Sequence, residues 1–163
     1  MVKVESLSRL IDEHPFLRGI DDKTRKLLGG CAANETFEAG AFLLREGQPA
    51  DRFFLIRAGA VAVEIHAPAR APIVIETLGD GDALGWSWLI EPHKWAFDAR
   101  ATHLTRVLSF DAQCLRRKMD EDPALGYEVL KRFMPVMAHR LAAARMQMLD
   151  IYGPASAKGA RGA

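Results

Sequence analysis

Leu78-Gly79-Asp80-Gly81-Asp82-Ala83-Leu84-Gly85-Trp86-Ser87-Trp88-Leu89 holds three glycines in close succession and two of the three tryptophans of the chain. Glycine stands where φ is positive or where backbone must approach another group closely. A glycine-bounded turn that runs into a short helix leaves backbone N–H groups free at the helix start, and such groups suit an anion. After the turn, Trp95-Ala96-Phe97-Asp98-Ala99-Arg100-Ala101 reads as a strand. Phe97, Ala99 and Ala101 share its inner face, and Asp98 and Arg100 share its outer face. The last two are expected to pair on the surface, a contact worth about 0–1 kcal/mol.

Outward from this turn, the pattern keeps a period of two from Ala33 to Asp111. Strand candidates are residues 35–38, 42–45, 52–57, 61–66, 72–77, 83–84, 95–101 and 106–110, several of them ending in glycine or proline turns. Short strands at regular spacing predict a closed or nearly closed antiparallel β-roll, jelly-roll-like, within a mainly β protein with flanking helices.

The glycine lattice is Ala39-Gly40, Glu46-Gly47, Ala58-Gly59 and the Gly79–Gly85 turn, with Asp51-Arg52-Phe53-Phe54-Leu55-Ile56 inside it. It resembles the cyclic-nucleotide-binding domain family, the β-roll sensor of catabolite-activator-type regulators and of kinase regulatory subunits. The resemblance covers roughly residues 10–152 and implies that residues 78–101 correspond to the phosphate-binding cassette. In that family the cassette usually reads Gly-Glu-Leu-Ala-Leu, with Arg-Ala or Arg-Ser ten residues past the glycine. The Glu takes the ribose 2′-hydroxyl and the Arg takes the cyclic phosphate. Laid on this chain from Gly85 without a gap, Trp86 stands at the Glu position and Trp95 at the Arg position. Ala96 stands where a hydroxyl residue sometimes helps to hold the phosphate. Both polar anchors are absent, so cyclic AMP and cyclic GMP are expected to bind weakly or not at all.

The ligand-pocket candidates are therefore Gly85, Trp86, Ser87, Trp88, Trp95, Ala96 and Arg100. Two readings stay open. The indoles fill the ancestral pocket, or they build an aromatic box for a planar or apolar ligand, with Ser87 and the backbone N–H groups of residues 86–88 as polar anchors. A cyclic phosphate without its Arg would be a buried unpaired anion, which is costly. Arg100 and Arg140 are the cations that could substitute.

Residues 1–32 carry Leu7, Leu10, Ile11, Phe16, Leu17, Ile20, Leu27 and Leu28 around Pro15, which predicts two short helices split before the proline. Asp21-Asp22-Lys23-Thr24 starts the second helix and Gly29-Gly30 ends it. Residues 112–152 return to helix. Asp122 is an N-cap with Pro123 at the first helical position. Beyond it Tyr127, Leu130, Met134, Met137, Leu141, Ala144, Met148 and Ile151 alternate three and four apart, a heptad seam that predicts a homodimer. Phe133, Val136 and Leu149 lie off the seam and are expected to face the roll. Pro135 removes a backbone hydrogen bond and is expected to kink the helix, and Arg140 and Arg145, at g and e positions, would meet like charges in a parallel pair. Residues 153–163 are expected to be a disordered tail. With only ten residues after Gly153, no recognition helix follows the seam, and DNA reading by this chain alone is not expected.

Composition narrows the classes further. Lys+Arg is 22 and Asp+Glu 21, so no basic excess points to nucleic acid. At 49% hydrophobic and 26% charged the chain reads as globular, with no apolar run long enough for a membrane span. Residues 1–12 lack the apolar core of a signal peptide. Cys31 and Cys114 match no metal spacing and are read as free thiols in a reducing, cytoplasmic setting. His93 and His103 flank the strand after the turn without a third ligand, so no metal site is expected. No nucleophile–base order or phosphate loop appears, and no enzyme is expected. The function this predicts is a regulatory or sensor domain acting by dimerisation and contact with a protein partner, its small ligand altered or absent and its identity unknown. The alternative is a structural dimeric adaptor with a plugged pocket.

Overall fold

The computed structural model describes residues 4–152. The chain enters through helix α1 (Val4–Glu13), a single 3-10 turn at Pro15–Leu17, and helix α2 (Asp22–Gly29). Pro15 cannot continue α1, and His14 joins the two pieces. Its Nδ1 accepts from the Phe16 N–H at 3.2 Å, and its Nε2 donates to the Ile56 carbonyl at 2.8 Å. Asp21 caps α2 by accepting from the Thr24 N–H at 2.7 Å, which satisfies one of the orphan donors of the first turn.

Eight strands then form two antiparallel four-stranded sheets. One runs β1 (Ala32–Phe37), β8 (Thr105–Asp111), β3 (Arg52–Ala58), β6 (Ala83–Leu84). The other runs β2 (Phe42–Leu44), β7 (Asp98–Ala101), β4 (Val61–Ile65), β5 (Ile73–Leu78). Val61, Val63, Ala99, Leu55 and Leu108 are buried in the core. Strand β3 is apolar without alternation because both of its faces are covered, so Phe53 to Ile56 are all buried. Phe53 stacks on Phe110 at 4.7 Å and on Trp88 at 4.8 Å, and meets the Phe133 ring edge-on at 5.1 Å. Gly59 closes the β3–β4 turn at φ +116°, where a Cβ would lie 2.7 Å from the Leu104 carbonyl.

Helix α3 (Ala112–Glu121) follows β8 directly, with Asp111 capping the Cys114 N–H at 2.6 Å. Asp122 then caps α4 (Pro123–Tyr152) by accepting from Ala124 and Leu125. Helix α4 is about 45 Å long at 1.5 Å per residue and has Pro135 in its interior. Leu125, Val129 and Phe133 anchor its first half in the core, and Val136 packs against the same cluster. Beside that row Tyr127, Leu130, Met134, Leu141 and Met148 are exposed.

Several expectations need correction. Leu149 is exposed and does not face the roll. The row that meets the roll is Val129, Phe133, Val136, Arg140, and four-residue steps carry Leu149 off it. Arg140 is therefore turned onto the roll and does not stand at a like-charged edge. Cys31 and Cys114 are not free thiols but form a disulfide, with Cα atoms 5.8 Å apart. The Asp111 N–H donates to the Cys31 carbonyl at 2.9 Å, which brings the start of α3 onto the end of α2. The strand predicted from Trp95 begins only at Asp98. The side chain of Ile151 and the tail at residues 153–163 lie outside the described residues.

Candidate functional site

The Gly79–Asp82 turn is tied down by its own carboxylates. Asp82 accepts from the Gly79 N–H and Asp80 from the Gly59 N–H, both at 2.9 Å. Strand β6 then leads to Gly85 at φ +94°, a conformation that side-chain-bearing residues rarely adopt. Space imposes the same requirement, since a Cβ here would lie 2.8 Å from Cη2 of Trp95. Ser87–Leu89 form a single 3-10 turn.

The three tryptophans, equivalent in sequence, have three different settings. Trp88 is wholly buried between Phe53 and Phe133, and its carbonyl accepts from Arg116 on α3 at 2.8 Å. Trp95 is 4% exposed, its ring pressed on the backbone of Gly85. Trp86 is half-buried and faces a cleft of about 760 Å³ between the roll and α4. Ser87 is buried and Ala96 exposed, and neither lines that cleft.

Arg100 does not pair with Asp98. Its guanidinium donates to Glu64 at 2.7 Å through Nη2 and at 3.2 Å through Nε. The register places Arg100 opposite Ala62 and Asp98 opposite Glu64, so the small Ala62 lets Arg100 reach its diagonal neighbour. Asp98 is itself buried, accepting from the Glu46 N–H at 2.7 Å and lying 2.9 Å from Nε2 of His66. Arg100 is thus outside the cleft.

The cleft is built from Ile65, Ile75 and Phe97 of the roll and Met134, Met137 and Leu141 of α4, with Ala144 and Met148 at its far end. Its polar side chains are Glu76, Arg140 and Gln147. Gln147 donates to the Ile75 carbonyl at 2.8 Å. Arg140 donates through Nε to Glu76 at 3.1 Å and through Nη2 to the Ala83 carbonyl at 2.9 Å, and its Nη1 is buried without a partner. Burial pushes this guanidinium below the ordinary arginine value, and the Glu76 carboxylate opposes the shift. Trp86 Nε1 is likewise buried and unpaired. The sequence candidates missed Phe97, Glu76, Ile65, Ile75 and Gln147 as cleft residues. One signal was available, since Arg140 follows Val129, Phe133 and Val136 on the roll-facing row, where a charge requires a partner.

Among the described residues no group of three His, Cys, Asp or Glu is arranged to hold a metal ion. No described helix is long and apolar enough to cross a membrane.

Comparison with known proteins adds the following. Residues 34–122 match the cyclic nucleotide-binding domain. The chain is 27% identical over 136 residues to Glutaminase 1 of Bradyrhizobium diazoefficiens, covering 83% of this chain and 21% of that protein. It is 25% identical over 115 residues to the CRP-like cAMP-activated global transcriptional regulator of Mycobacterium tuberculosis, covering 71% of this chain and 50% of the regulator. The match thus spans about a fifth and a half of the length of these two relatives. A solved cyclic nucleotide-binding domain from Methylobacillus flagellatus superimposes with a TM-score of 0.74 at 20% identity, over 94% of this chain and 86% of that one. That likeness is one of fold.

Proposed function

Since the chain belongs to the cyclic nucleotide-binding domain family, we propose that it is a regulatory sensor module whose cassette no longer serves cyclic nucleotides. Its small ligand would enter the cleft between the roll and α4. One observation carries this reading: Trp95 fills the space against Gly85 while the cleft beside Trp86 stays open. The Mycobacterium relative is a cAMP-activated regulator, whereas here Trp86 and Trp95 stand where the family's ribose-binding Glu and phosphate-binding Arg would be.

The output would be protein–protein contact, beginning with a second copy of the chain. Met134, Met137, Leu141, Ala144 and Met148 belong both to the heptad seam and to the cleft wall. A ligand that moves these side chains changes the surface offered to a partner helix. A second reading, a dimeric adaptor with a solid core, is favoured by the burial of Trp88 and Trp95. Native mass spectrometry of the protein purified without added ligand separates the two. The sensor reading expects a displaceable small-molecule mass or, on the bare chain, thermal shifts from apolar compounds. A bare chain indifferent to every compound supports the adaptor.

A further inference from the structure

We propose that the Cys31–Cys114 disulfide is a reversible redox catch: an external dithiol opens it, and the change reaches the cassette through α3. The proposal goes beyond the sensor reading and does not depend on what occupies the cleft.

Helix α3 is gripped on two faces. On one, Ala112 and Leu115 are wholly buried in the core, and Arg116 Nη1 donates to the Trp88 carbonyl at 2.8 Å. Cys114 and Lys118 stand two residues on from Ala112 and Arg116, about 200° round the helix, and meet the end of α2 instead. Cys114 is bonded to Cys31, its Sγ 4.0 Å from the Gly30 carbonyl oxygen. Lys118 Nζ donates to the Leu27 carbonyl at 2.8 Å. One ten-residue helix thus carries the disulfide and a direct hold on the cassette, two residues apart. With the bond open, three polar ties remain at this corner. They are the Asp111 N–H to the Cys31 carbonyl, the Lys118 hydrogen bond, and the ion pair of Lys23 with Asp122 at 3.1 Å. The Lys23 side chain is 76% exposed, so the ion pair holds weakly.

The fold does not require the bond as a staple. Small domains with too little core depend on disulfides, whereas here Leu28, Phe53, Phe110 and Leu115 are buried around the same corner and through the roll. The bond is also within reach of a reagent. Both cysteines line a surface groove of about 590 Å³, and Cys114 is the more exposed of the two. A thiolate of the dithiol attacks Sγ of Cys114, and Cys31 leaves. The second thiol then attacks the reagent's own sulfur in the mixed disulfide and releases Cys114. The dithiol is oxidised by two electrons to its disulfide, the Cys31–Cys114 bond is reduced by two, and the two protons of the dithiol end on the two cysteines. The first turn of α3 and Lys118, one turn on, favour a thiolate at Cys114, and the capping Asp111 carboxylate opposes it.

Trp86, Trp88 and Trp95 are all the tryptophans of the chain, so their emission reports the cassette. The test equilibrates the purified chain in mixtures of reduced and oxidised dithiothreitol, without denaturant. Reduction should open both cysteines to alkylation, read by mass, and reoxidation should close them. Helix content by circular dichroism should stay unchanged, while amide exchange in residues 22–29 and 112–118 quickens by about tenfold or more. Tryptophan emission should change reversibly and in step with the thiol content. Arg116→Leu removes the hold on Trp88, so its disulfide should still open but with less than about half of the emission change. Cys31→Ser with Cys114→Ser should match the emission of the reduced chain and ignore dithiothreitol. A bond that yields only after unfolding, a chain that unfolds on reduction, or reduction with emission unchanged overturns the catch. A full emission change in Arg116→Leu overturns the route through α3.

Discussion

Replacing Trp95 by Arg puts back the residue type that the family resemblance places at this position, and the structure sets what it should cost. The indole is 4% exposed and packed on Gly85, where no side chain could follow it. Emptying such an aromatic site costs about 3–5 kcal/mol. A guanidinium does not fill the space of the indole, and it must either swing to solvent or stay buried at further cost. At roughly 2–4 °C per kcal/mol for a chain of this size, the melting temperature should fall by about 6–20 °C. Adding Trp86→Glu supplies the ribose partner. The two charge-assisted contacts are worth about 1.5–3 kcal/mol each, or about 10²- to 10⁴-fold in affinity. Scanning calorimetry with and without about 1 mM cyclic AMP reads both effects, since saturation to a hundredfold over Kd restores about 2.7 kcal/mol. A Trp95→Arg variant melting within about 2 °C of wild type would refute the packing argument. A double variant that is destabilised yet shows no shift with cyclic AMP would refute the claim that these two side chains account for the lost ligand.

Other predictions follow from the rest of the molecule. The Cys31–Cys114 disulfide closes a sequence separation of 83, so Cys31→Ser with Cys114→Ser should lower stability by about 2–4 kcal/mol in urea unfolding; equal midpoints with and without reductant would contradict the bond. Leu130 and Leu141 are exposed on the proposed partner face, and glutamate at both should convert a light-scattering dimer to a monomer without loss of helix content. A wild-type monomer at high micromolar concentration contradicts that interface. Burial pushes the His14 imidazole below its ordinary value of 6.5, against the opposing hydrogen bond to Ile56. The unfolded chain therefore takes up this proton first as pH falls. The His14 contribution is complete above about pH 6.5 and is lost as pH falls through the folded value. His14→Gln should remove that step from a stability–pH profile, and an unchanged step would assign it elsewhere.

Local signals in the sequence carried most of the fold. Asp21, Asp122-Pro123 and the glycine turns act within a few residues, and α2, α4 and the strands begin or end beside them. What depends on distant pairing was not legible. The disulfide requires α2 and α3 to meet, and the Arg100 partner requires the β4–β7 register. The site was legible as a place but not as a constellation. The cassette turn and Trp86 stand out in sequence, but nothing local distinguishes the buried Trp88 and Trp95 from Trp86. The heptad reading of α4 placed Arg140 at the edge of a dimer seam. The observed rotation instead turns it to Glu76, because Phe133 and Val129 fix which side meets the roll.

Isothermal calorimetry of cyclic AMP and cyclic GMP against the wild-type chain tests the central claim, that the cassette has lost its family ligand, most directly. With Trp95 at the position of the phosphate-binding Arg and Trp86 at that of the ribose-binding Glu, the account expects no heat of binding up to about millimolar nucleotide. A dissociation constant in the low micromolar range for either nucleotide, at one site per chain, would contradict it.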